Sequence, residues 1–198
     1  WCAGGALHHF GAEANCATVP NSTFNIDRQP PLENIKKAIA WDGLNARYWQ
    51  KLALVLMKDR DDFADKSSYR ENRVRVKEII TALQEAVLLN PCETESYIRL
   101  AREYTYLWQE PDYREKWLPA ADRAMESAAF FVGEKNPRQH VEMGHYWNMR
   151  AGHPWLRAER RDAALQRARW HYHKALALDP GNREMAREID EKMAKTKR

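Results

Sequence analysis

Seven histidines, three cysteines and a run of acids are the side chains of this sequence that could do chemistry. A metal centre needs such groups at spacings that converge. His171 and His173 stand two apart, on different faces of a helix, and His140 and His145 stand five apart, so neither pair suits a single ion. There is no H-E-x-x-H and no C-x-x-C, hence no zincin helix, zinc ribbon or haem attachment. His8 and His9 could join Cys2 and Cys16 only if the first segment folded back. A metal-dependent enzyme built on His8, His9 and Cys16, or on the acids Asp59, Asp61, Asp62 and Asp65, is the weakest of three functional readings, and no cofactor is implied. His140 reads as the occupant of an aromatic slot in a core.

Nucleophilic and phosphate chemistry lack their frames as well. No G-x-S-x-G, P-loop or dinucleotide glycine pattern occurs, and Ser22, Ser67, Ser68, Ser96 and Ser127 have no glycine-rich elbow. Asp59, Asp61, Asp62 and Asp65 cluster without the glycine and spaced glutamate of a calcium loop, so they read as a solvated loop. Asn21-Ser22-Thr23 matches a glycosylation sequon, a three-residue pattern that recurs by chance. The expectation is a protein that is not an enzyme.

The elements that position these residues follow from composition and period. The chain has 198 residues, 44% hydrophobic and 30% charged, enough for one domain or one compact array. A mean hydropathy of −0.77 would fit disorder, but 8 Trp, 8 Tyr and 5 Phe supply the large apolar surface that disordered chains lack. Stretches without Asp, Glu, Lys or Arg fall well short of the roughly 20 residues needed to cross a bilayer. Residues 137–198 hold 14 basic and 8 acidic groups, while the whole chain carries only +4. Those basic residues are interrupted by acids and apolar positions, which describes a solvated helix surface and excludes a nucleic-acid patch.

The cysteines leave the redox compartment open. A helix over residues 3–16 would hold Cys2 and Cys16 roughly 21 Å apart, beyond any bridge, whereas a fold-back would let them pair. Cys92 follows Pro91 at an expected helix start. No signal peptide is visible, and a first residue of Trp1 implies a processed chain or a piece of a longer one.

Internal repetition organises the rest. Trp49-x-x-Leu52-Ala53-x-x-Leu56, Tyr97-x-x-Leu100-Ala101-x-x-Tyr104 and His140-x-x-Met143-Gly144-x-x-Trp147 share one pattern of large and small slots, spaced as one face of an α-helix. A weaker copy is Leu7-x-x-Phe10-Gly11-x-x-Ala14. A second pattern precedes each turn: Ile35-x-x-Ala38, Ile79-x-x-x-Leu83-x-x-Ala86, Ala121-x-x-x-Met125-x-x-Ala128 and Ala168-x-x-x-Tyr172-x-x-Ala175. Small slots let helices approach closely, large ones fill the grooves beside them, and Pro or Gly stops each second helix. The spacing predicts helices near 3–17, 31–41, 45–59, 70–89, 92–109, 112–132, 137–150, 159–178 and 182–195. Residues 1–30 form an N-terminal helix and loop, and residues 31–198 the repeat array. In the last helix Asp190 stands where interior copies carry Ala or Gly, as suits a polar cap on a stack.

These slots resemble the tetratricopeptide repeat (TPR) grammar, W-x-x-L-G-x-x-Y in helix A and A-x-x-x-F-x-x-A-x-x-x-x-P in helix B. The resemblance implies an all-α, right-handed superhelix of antiparallel helix pairs. The period of 43–48 residues between turns exceeds the usual ~34, which predicts longer helices and long A–B loops around 59–70, 109–112 and 152–160. It also implies a non-catalytic protein-interaction scaffold whose concave groove holds a peptide or protein segment. Carried over by position, the groove comprises Arg47, Gln50, Lys51 and Leu54 in the first copy. The second copy brings Glu95, Ile98, Arg99, Arg102 and Tyr106, and the third Arg138, Val141, Glu142, His145, Asn148 and Met149. Five basic residues against two acidic ones predict a segment carrying acids. The clamp for C-terminal carboxylates has only Asn148 in a fitting place.

Most of the tryptophans read as packing, with Trp155 in Gly152-His153-Pro154-Trp155 as a rim aromatic open to a partner. A second resemblance is shorter. Ala38-Ile39-Ala40-Trp41-Asp42 and Asn45-Ala46-Arg47-Tyr48 look like the repeat tails of bacterial membrane O-antigen ligases and glycopolymer polymerases. That would make the chain a soluble appendage tethered to a membrane part, in the periplasm or at the cell envelope.

Overall fold

The computed structural model describes residues 32–62, 69–108, 111–132 and 136–195, all within the unit Leu32–Arg198. The expected helix 3–17 and the residues Cys2, His8, His9 and Cys16 lie outside these described residues. Eight α-helices, and no strands, make up the described chain: α1 (Leu32–Trp41), α2 (Ala46–Asp62), α3 (Tyr69–Leu89), α4 (Thr94–Trp108), α5 (Pro111–Phe131), α6 (Pro137–Ala151), α7 (Ala158–Leu178) and α8 (Arg183–Lys195). Their bounds fall within three residues of those the periodicity predicts.

The largest difference is at α2, which runs past the expected end at 59 through Asp61 and Asp62. Two acids of this end act as partners for cations: Asp61 accepts from Arg60 at 3.0 Å, and Asp59 lies 3.7 Å from Arg75. The excess period sits mainly in the second helices, each 21 residues long in α3, α5 and α7. The helices of the three hairpins are separated by residues 63–68, 109–110 and 152–157, so only two residues part Trp108 from Pro111, fewer than the long loop expected there.

Each turn between pairs repeats one set of bonds. The carbonyls of Ala38, Ala86, Ala128 and Ala175, the final small slots of the B helices, accept from the N–H four residues on, at 2.8–3.1 Å. After three of the four turns an asparagine side chain caps the next helix. Asn45, Asn136 and Asn182 accept from the N–H of Arg47, Gln139 and Met185 at 3.1, 3.2 and 3.0 Å. Such a cap stabilises a helix start by about 1 kcal/mol.

The closest packing lies within the hairpins α2–α3, α4–α5 and α6–α7, and successive hairpins meet through α3–α4, α4–α6 and α6–α8. The core is made of the repeat slots: Ala53, Leu100, Ala101, Tyr104, His140, Met143 and Trp147 from A helices, with Ile79, Leu83, Ala86, Ala121, Met125, Ala128, Ala168, Tyr172 and Ala175 from B helices. Fully burying a Leu, Ile or Met side chain contributes about 1.5–3 kcal/mol. Gly144 shows why one slot must be small. A Cβ there would clash with the edge of the Tyr172 ring, at Cε1 and Cδ1. Met185, Ile189 and half-buried Met193 turn α8 onto the stack, while Asp190, Glu191 and Lys192 are exposed. The array is an all-α, TPR-like solenoid ended by a capping helix. No described helix is long and apolar enough to cross a membrane.

Candidate partner-binding cleft

The A helices α2, α4 and α6 enclose an open cleft of about 460 Å³. Leu54, Met57, Ile98 and Tyr106 give it apolar surface, of which Leu54 and Tyr106 are exposed. Arg60, Asp61, Glu95, Arg99, Arg102, Glu103, Arg138, Gln139 and Glu142 complete the lining. Three of the eight expected partner-binding residues (Arg99, Arg102 and Tyr106) lie here, with Leu54, Glu95, Ile98, Arg138 and Glu142 of the wider groove.

The other five are placed elsewhere. Gln50 bridges adjacent A helices, its amide donating to the Ser96 hydroxyl at 3.1 Å. His145 is half-buried, packs against the Tyr172 ring and lies 3.5 Å from Glu188 of α8. Burial lowers its pKa, against the opposing pull of Glu188 and Glu142. Asn148 donates to the backbone carbonyl of Lys192 at 3.1 Å, holding the capping helix. Arg47 is exposed in the first turn of α2, and Lys51 is half-buried one turn on.

The basic surplus expected of the groove is absent from the cleft. Arg99 pairs with Glu95 at 2.8 Å, Arg102 with Glu142 at 3.2 Å, and Arg138 with Glu142 at 2.9 Å and Glu188 at 2.6 Å. Four arginines in the lining face four carboxylates. Arg99–Glu95 and Arg138–Glu142 are pairs one turn apart on a single helix, whereas Arg102 of α4 meets Glu142 of α6 and Arg138 of α6 meets Glu188 of α8 because stacking brings those polar faces side by side.

The deepest polar element is a pair that sequence patterning did not single out. The Arg60 guanidinium of α2 donates to the Glu103 carboxylate of α4, and both are buried. Arg60 also lies 4.4 Å from the centre of the Tyr106 ring. Burial raises the Glu103 pKa, with Arg60 opposing it. For Arg60, burial acts downward and the attraction of Glu103 leaves the pKa raised. One signal was available: Glu103 sits between the core slots Leu100 and Tyr104, where a carboxylate needs a buried cation.

Chemistry-bearing side chains elsewhere do not assemble a metal centre among the described residues, where no group of three or more His, Cys, Asp or Glu converges. His140 occupies its aromatic slot, and its Nδ1 lies 3.1 Å from Nδ1 of His171 on α7. One ring donates and the other accepts, so the contact holds a single proton. Burial, then the neighbouring His140 and Arg167, lower the His171 pKa to about 4.

No protein-family model matches the chain. No curated protein matches it either. Among solved structures it is similar to the crystal structure of a thermophilic TPR protein of Thermus thermophilus, with a TM-score of 0.59 and 15% identity over 82% of this chain and 71% of that one. The likeness shows that the chain has the TPR fold.

Proposed function

We propose that this protein is a non-catalytic interaction scaffold that takes a segment of another protein in the cleft between α2, α4 and α6. The observation that carries the reading is an open groove with exposed Leu54 and Tyr106 beside ion pairs that already satisfy its arginines. Such a surface favours an apolar or aromatic anchor on a mixed-charge segment, since an acidic segment would have to displace Glu95 and Glu142. The TPR fold in general supports protein interaction, and A-helix grooves of this shape suit extended or helical segments.

The test is capture from the native source by the whole chain, compared with Leu54→Glu and with Arg99→Glu/Arg102→Glu. Loss of the same captured proteins with Leu54→Glu, at unchanged helicity, supports the reading. A larger loss with the arginine pair than with Leu54→Glu would restore an acidic partner. Capture unchanged by either would reject the cleft.

A further inference from the structure

The most unusual electrostatics of the molecule lie at the A–B rim of the second and third hairpins, and none of the residues involved lines the cleft. Trp108 ends α4, Arg114 stands in the first turn of α5, Arg150 is in the last turn of α6, and His153 and Trp155 lie in the following connection. The Arg114 guanidinium is 4.4 Å from the centre of the Trp155 ring and that of Arg150 is 5.4 Å from it. Trp155 stacks on His153 at 4.8 Å and meets Trp108 edge-on at 6.5 Å. It is half-buried rather than the open rim aromatic the sequence implies.

Trp108 is 0% exposed and Arg150 4%. Even so, Trp108 Nε1, Arg150 Nη1 and Arg114 Nε are buried with no hydrogen-bond partner among the described residues. Asp122 reaches this group, but only weakly from the arginine's side: its Oδ1 and Oδ2 accept from Arg150 at 3.3 and 3.4 Å, while the Tyr146 hydroxyl takes its short bond of 2.6 Å. No described carboxylate pairs with Arg114. Burial first, then Arg150 and Arg114, lower the pKa of His153, which disfavours a charge on its ring. Donors and positive charge thus surround one aromatic cluster in which, among the described residues, Asp122 reaches Arg150 only at the limit of hydrogen bonding, and buried N–H groups are costly unless an acceptor reaches them.

We propose that this rim binds an oxyanion, a carboxylate or a phosphate, whose oxygens accept from Arg114, Arg150 and Trp108 beside the Trp155 ring. Half-buried Arg114 and Trp155 mark the side from which it enters. Forked guanidinium groups suit planar or tetrahedral oxyanions, and the indole supplies a further donor.

The experiment titrates the full chain with inorganic phosphate, with acetate and with chloride at matched ionic strength, following tryptophan fluorescence and Tm. A saturable change and a raised Tm with phosphate, acetate or both, relative to chloride, are expected. Which of the two is preferred identifies the source of the oxyanion. Arg114→Gln should weaken the apparent affinity about tenfold or more, with Arg114→Lys intermediate and Arg187→Gln on α8 unchanged. If Arg114→Gln does not fold, the Arg114→Lys series decides. Equal responses in chloride and oxyanion, a response that does not saturate, or affinity retained when Arg114 loses its fork would overturn the proposal.

Discussion

The concave cleft and the A–B rim both place arginines against aromatic rings, yet they treat charge in opposite ways. In the cleft every arginine has a carboxylate: Arg60 has Glu103 and Asp61, Arg99 has Glu95, and Arg102 and Arg138 share Glu142. At the rim Arg150 has Asp122 at the limit of hydrogen bonding, and Arg114 has an aromatic face alone among the described residues. The cleft is electrostatically complete and offers apolar surface, whereas the rim is incomplete and offers donors. Counting arginines on a face therefore says little about which ligand it takes. What matters is whether a neighbouring helix already supplies the counter-charge.

The sharpest way to break this comparison is to remove one carboxylate from each region. Asp122→Asn leaves Arg150 buried without a counter-charge and should cost about 3–5 kcal/mol in chemical denaturation. Glu103→Gln should cost roughly 3 kcal/mol, the low end of the same range, because Asp61 still pairs with Arg60. A larger loss from Glu103→Gln than from Asp122→Asn would reverse the ordering of the two regions. Oxyanion added to Asp122→Asn should restore part of its Tm, while Glu103→Gln should gain no more than the parent.

Acid adds positive charge instead of removing negative charge. The His171 pKa is depressed from 6.5 to about 4 in the folded chain, so the unfolded chain binds more protons between those values. Stability from this group is then fully present above pH 6.5 and is lost as pH falls toward 4, on the order of 3 kcal/mol in total. His145 and His153 are shifted in the same direction and steepen the loss. Denaturation across this window should show the fall, and His171→Gln should flatten it. A stability that rises on acidification would contradict a buried, neutral His171.

The smallest of these effects concerns the seam that holds both regions in place. Gly144→Ala forces the Tyr172 ring to move and should cost about 1–3 kcal/mol, despite the better helix propensity of alanine. Alanine already occupies the equivalent buried slots at 53 and 101. A neutral or stabilising Gly144→Ala would mean that the third hairpin can relax where the structure shows contact. Combining it with Tyr172→Leu should recover most of the loss.

How much of this was legible beforehand differs by kind of interaction. Slots three and four residues apart identify a face of a helix. For that reason Ala53, Ala101, Gly144, Leu83, Met125 and Tyr172 are readable as core from spacing alone, and the helix bounds follow. The asparagine caps are readable for the same reason, since Asn45, Asn136 and Asn182 act on their own turns. The polar pairs are not. Gln50 meets Ser96, Arg60 meets Glu103 and Arg102 meets Glu142 across more than 40 residues of chain in the first two cases and 40 in the third.

Local period records how a residue faces its own helix axis, so the amino-acid order by itself determined the helices, their stops and the small-and-large alternation that makes hairpins stack. Tertiary structure decided the counter-charges that cross between helices, because which arginine then meets which carboxylate depends on the stagger between helices that are neighbours in space and distant in the chain; Arg99–Glu95 and Arg138–Glu142 are set within one helix. That stagger closes the charge balance of the cleft and leaves it open at Trp155.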